Sequence, residues 1–137
     1  MIEIAANMKS ILEQTILSFV GTILVSVLKR PACRFFKFVA EGIRVVSVSV
    51  GDRDKSEALV DKHQLGFPVA YGADARAVSA ITGAFVNDNP VCLQATGFVL
   101  NPEGRIVTAV YSTRAIGRLT PDDVLNFVRH LRSSAKN

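Results

Sequence analysis

Apolar positions along this chain follow two periods, and the change from one to the other marks out its elements. Thr22-Ile-Leu-Val-Ser-Val-Leu28 and Ile43-Arg-Val-Val-Ser-Val-Ser-Val50 are β-branched runs that read as neighbouring parallel strands. Ahead of them, Lys9 to Val20 sets Leu12, Ile16, Phe19 and Val20 at helical spacing, with Gly21 as its stop, so the pattern predicts an opening helix. Between the two strands only Arg34 to Glu41 is left for a crossover helix, closed by Gly42, and the predicted crossover is cramped.

Past Val50, Asp52 or Asp54 can cap a helix through Ser56 to His63, which Leu65-Gly-Phe-Pro68 ends. Asp74 to Thr82, ending at Gly83, predicts another. Ala84 to Gln94 reads as a long loop around Asn87-Asp-Asn-Pro90. Thr96 to Leu100 and Arg105 to Tyr111, joined by Asn101-Pro-Glu-Gly104, predict a β-hairpin. The last helix is the plainest: Thr120 as cap, Pro121 at the first position, Asp122 and Asp123 at the positive dipole end, then Val124, Leu125, Val128 and Leu131 as an apolar stripe. The order is βαβ, then ββα, with an insertion between the halves.

Composition narrows the classes. At 137 residues, 49% hydrophobic and 20% charged, the chain is expected to form one domain over residues 1–137. The net charge is +4, but the sixteen Lys and Arg are scattered, which speaks for solvated surface and against a nucleic-acid partner. The uncharged run from Ile16 to Leu28, about 13 residues, falls short of the roughly 20 that span a bilayer. It also lacks a small-residue cleavage site after Leu28. No membrane or export role is expected. Two cysteines, Cys33 and Cys92, are too few for a disulfide framework and are expected reduced in the cytoplasm. His63 and His130 have no ligand-spaced companions, and Gly66, Gly72 and Gly83 form no phosphate cradle, so neither metal nor cofactor is expected.

The candidate chemistry sits at Cys33, between the first strand and the crossover helix. Helix N-terminal amides and the nearby cations Lys29, Arg30 and Arg34 favour a thiolate there. The stretch reads Arg30-Pro-Ala-Cys-Arg34, so a C-x-x-C partner is absent. Cys92 is a candidate second thiol that resolves a sulfenic acid, against an inert buried cysteine.

Four segments, Glu41-Gly-Ile-Arg-Val-Val-Ser-Val-Ser49, Gly66-Phe-Pro-Val69, Leu93-Gln-Ala-Thr-Gly-Phe-Val-Leu-Asn-Pro-Glu-Gly-Arg105 and Ile116-Gly-Arg-Leu-Thr-Pro-Asp-Asp-Val124, together resemble the alkyl hydroperoxide reductase and thiol-specific antioxidant branch of the peroxiredoxin-like proteins. The resemblance is strongest over residues 41–131. It implies an α/β, thioredoxin-like three-layer sandwich with a central mixed β-sheet. It implies a thiol-dependent antioxidant oxidoreductase that reduces a peroxide or disulfide, with a thiol reductant and a homodimeric partner. Cys33 is the nucleophile that its junction position and basic neighbours point to, with Arg30 and Arg34 as stabilisers of its thiolate, and by the same resemblance Gln94, Ala95 and Thr96 flank it. Arg30 stands where the family's first, attacking cysteine would be, and the residues three and seven before Cys33 are Arg30 and Ser26 in place of the family's upstream Thr and Pro. The competing reading is a thioredoxin-fold scaffold for binding or dimerisation, without redox activity.

Overall fold

A computed structural model of the chain describes residues 2–3, 17–20, 31–114 and 116–135. In chain order the elements are β1 (Ile2–Glu3), β2 (Leu17–Val20), α1 (Pro31–Ala40), β3 (Val45–Val48), α2 (Arg53–His63), β4 (Val69–Tyr71), α3 (Ala75–Thr82), β5 (Val86–Asp88), β6 (Val91–Leu93), β7 (Thr96–Leu100), β8 (Ile106–Tyr111) and α4 (Pro121–Ser134). One six-stranded sheet runs β1-β4-β3-β2-β7-β8, and β5 pairs with β6 separately. The first four strands of that order are parallel, while β7 runs antiparallel to β2 and to β8.

Strand alternation sorts the core onto two faces. Val45 and Val99 share one face with Phe38 of α1 and with Val124, Leu125 and Val128 of α4. Val69 lies on the same face, under Leu59 and Val60 of α2. Val46, Val48, Ala70, Phe98 and Leu100 pack on the other face, against Ala75 and Val78 of α3 and Leu93 of the β5–β6 hairpin. Helices, mixed sheet, then helix and hairpin: this is the three-layer α/β sandwich expected.

The capped elements form as their residues dictate. Asp52 accepts from the Lys55 N–H, Asp74 from those of Arg76 and Ala77, and Thr120 from that of Asp123. These bonds satisfy donors that a helix start leaves without intrahelical partners. Gly42 and Gly83 take the left-handed conformation after their helices.

The front of the chain departs from expectation. Leu17–Val20, read as the end of a helix, is strand β2, paired with β3 on one side and β7 on the other. Helical and strand periods cannot be told apart over so short an apolar run, and two flanking ladders decide in favour of the strand. Residues 9–16 and the expected strand at Thr22 to Leu28 lie outside the described residues, and the parallel neighbour of β3 is β2. The crossover therefore spans residues 21–44 and is not cramped. Its helix starts at Pro31, ahead of the expected Arg34, because proline suits a first helical position. The expected loop from Ala84 to Gln94 holds the β5–β6 hairpin, turning through a cis Asn89–Pro90 bond. Val69–Tyr71, to which the sequence pattern assigns no element, is β4.

Candidate functional site

Topology brings five segments to one end of the sheet. β2 and β3 are parallel, so α1 between them must run back along the sheet, with its first turn at the carboxyl end of β2. Val20, the last residue of β2, is in register with Thr96, the first of β7, and Thr96 in turn with Tyr111, the last of β8. At the opposite end, the Glu41 carboxylate after α1 takes Arg129 of α4 at 2.7 Å and Arg132 at 3.2 Å, and Arg132 also donates to the Glu41 carbonyl. With their tails tied together on one face, α1 and α4 have their heads at the same end. The carboxyl end of β2, the start of β7, the end of β8 and both helix heads therefore meet there.

Cys33 occupies the first turn of α1, two residues after Pro31, and Arg34 follows it. Arg30 lies outside the described residues. Thr96 is 4% exposed, and its hydroxyl donates to the Gln94 carbonyl at 3.3 Å. In the alternation of β7 it belongs with Phe98 and Leu100, which face α3. Thr96 thus shares the end of the sheet with α1, while its side chain belongs to the face that α1 does not cover. Cys92 pairs with Asn87 across the hairpin and is half-buried. That hairpin lies in the α3 layer, so the sheet stands between Cys92 and α1.

A further group at this end was not singled out from the sequence. The connection from β8 to α4 is a built turn. The Ser112 N–H donates to the Ala95 carbonyl, and its hydroxyl donates to the Ile116 carbonyl and accepts from the Arg114 N–H. Gly117 follows at φ +101°, and the turn delivers Arg118. This arginine is half-buried. Its Nη1 is cut off from water without a hydrogen-bond partner, and burial pushes the guanidinium pKa down. The Gly117-Arg118 pair just ahead of the Thr120-Pro121 cap was the available signal; which way the side chain turns was not written in it. Among the described residues no cluster of His, Cys, Asp or Glu could hold a metal, and no helix is long and apolar enough to cross a membrane.

No family model and no curated protein matches the chain. Solved structures do. The chain is similar to the AhpC of Enterococcus faecalis, with a TM-score of 0.70 and 14% identity, covering 90% of this chain and 79% of that one. It is similar to a cysteine-to-serine mutant of peroxiredoxin 6 of Arenicola marina, with a TM-score of 0.68 and 14% identity, covering 88% of this chain and 62% of that one. It is also similar to the bacterioferritin comigratory protein of Xanthomonas campestris, a protein described by its alkyl peroxide reduction activity, with a TM-score of 0.62 and 14% identity, covering 86% and 80%. At these identities the likeness establishes the fold: the chain has the thioredoxin-like fold of peroxiredoxins.

Proposed function

We propose that this protein is a thiol-dependent oxidoreductase that reduces a peroxide, or a disulfide, through Cys33. The observation that carries the reading is the place of Cys33: the first turn of the crossover helix, at the carboxyl end of the central strand, in a fold shared with peroxide-reducing proteins. The amides of a helix's first turn and neighbouring cations stabilise a thiolate, and Arg30 and Arg34 flank Cys33 in sequence. The Cys33 thiolate attacks one peroxide oxygen, an S–O bond forms as the O–O bond breaks, and the leaving alkoxide takes a proton to become an alcohol. Cys33 is left as a sulfenic acid. An external thiol condenses with it, releasing water, and a second external thiol reduces the mixed disulfide. Thr96 contributes by starting β7 at the site. Cys92 acts as resolving thiol only where the two layers join around the end of the sheet. A reducing, cytoplasmic setting suits this chemistry.

Peroxide consumption driven by an excess of small thiol tests the proposal. Turnover by the wild type and its loss in Cys33→Ser are expected, and equal rates in the two would overturn it. One observation favours a second reading as a binding or dimerising scaffold. Phe36 and Val39 of α1 are 68% and 54% exposed, more apolar surface than a solvated helix face needs. Absence of turnover in the wild type, with self-association in solution, is the outcome that reading expects.

A further inference from the structure

The outward side of α1 is apolar where a surface helix is ordinarily polar. Phe36, Val39 and Ala40 all stand exposed there. Phe38, on the other side of the helix, is buried in the core with Val124 and Val128 of α4. The helix therefore turns one apolar side inward and leaves a second one outside, the mark of a surface that meets something. α1 contains no acidic residue, and its exposed Lys37 makes no ion pair among the described residues.

Charge decides what that something is. Phe36, Val39 and Ala40 lie in the second half of α1, toward its tail, where the single carboxylate of Glu41 is shared by Arg129 and Arg132. Other carboxylates at that end are matched by a cation close in sequence: Asp61 by Lys62 at the tail of α2, Glu103 by Arg105 in the turn between β7 and β8. Asp122 and Asp123 sit in the first turn of α4, at the opposite end. The apolar patch thus has a cationic rim, on a chain of net charge +4. A second copy of the chain docked about a two-fold axis would set that rim against itself. An anionic lipid surface complements it: Phe and Val enter the boundary between headgroups and acyl chains, while the lysine stem carries its ammonium to the lipid phosphates. The sequence argument against a membrane role concerned spanning and export. A chain whose described helices are too short to cross a bilayer can still lie on one.

We infer that the protein docks on anionic lipid surfaces through the exposed face of α1, with Phe36 and Val39 as apolar anchors and Lys37 as the cation beside them. The inference stands apart from the Cys33 reaction, since it needs only the surface of the helix. Its test sediments the full chain with vesicles of phosphatidylcholine alone or with about 30% phosphatidylserine. The wild type is expected to bind the mixed vesicles about tenfold or more tightly than the neutral ones. That preference should shrink as salt rises from roughly 0.05 to 0.5 M. Phe36→Ser and Lys37→Glu should each weaken binding to the mixed vesicles about tenfold. Arg114→Glu makes the same change of net charge at the opposite end of the molecule and should weaken it much less. Absence of the wild type from the vesicle pellet, binding that survives Phe36→Ser, or equal losses in Lys37→Glu and Arg114→Glu overturns the inference. A dimer in solution that Phe36→Ser dissociates assigns the face to a second copy and overturns it too. Should Phe36→Ser fail to fold, Val39→Ser and the comparison of Lys37→Glu with Arg114→Glu decide.

Discussion

At Gly117 the backbone stands at φ +101°, and a Cβ there would lie 3.2 Å from Ser112 Oγ. A side chain at this position meets both an unfavourable backbone region and a neighbour already engaged in the turn. Gly117→Ala is expected to cost about 1–3 kcal/mol in urea unfolding. Asp52 is a residue whose effect depends on pH. The Lys55 N–H, and then the Lys55 side chain, hold its carboxyl below the usual aspartate value. A depressed carboxylate pKa contributes stability that is in place above the unfolded value near 4 and is lost as pH falls through the lower folded value. Asp52→Asn keeps an acceptor for the cap but cannot ionise, so its unfolding midpoint should fall less steeply than that of the wild type between about pH 5 and pH 2. The cap was legible as one of two residues, Asp52 or Asp54, because a cap is a local signal, and Asp52 is the one that caps. The burial of Arg118 was not, because a turn pinned by Ser112 determines where that side chain goes.

Among the elements, those that carry their own punctuation were legible in sequence. Asp74 and Gly83 bracket α3, Thr120 and Pro121 open α4, and Asn101 to Gly104 close the hairpin of β7 and β8. β2 has no such marks. Leu17-Ser-Phe-Val20 becomes a strand because β3 and β7, distant in sequence, pair with it on both sides, and tertiary pairing overrides a local period. Reading β2 correctly matters to the site, since it sets where α1 begins and so where Cys33 lies. The tie between α1 and α4 is equally non-local. Glu41 meets Arg129 and Arg132, with its own side chain 24% exposed and theirs 57% and 46%. Exposure of the arginines screens these pairs, so Glu41→Ala should lower stability by only about 1 kcal/mol. A double-mutant cycle with Arg132→Ala checks that the loss belongs to the pair.

Across the whole molecule, the sheet is a partition. α1 lies on one face, and the hairpin that carries Cys92 lies in the layer on the other. A disulfide needs Cα atoms within about 7 Å of each other, while a helix with its side chains is itself about 10 Å across. Bonding the two sulfurs within one chain would have to join these two layers around the end of the sheet. In the cycle proposed above, this wall decides which thiol meets the sulfenic acid first. Each peroxide consumed in that cycle draws two reducing equivalents from outside; an external thiol forms a mixed disulfide on Cys33 and leaves Cys92 free, and the sulfenic acid persists when the donor runs short. Intact-mass measurement after peroxide and a small thiol should record that adduct on Cys33 with Cys92 unmodified; an internal cystine appearing instead would show that the partition opens.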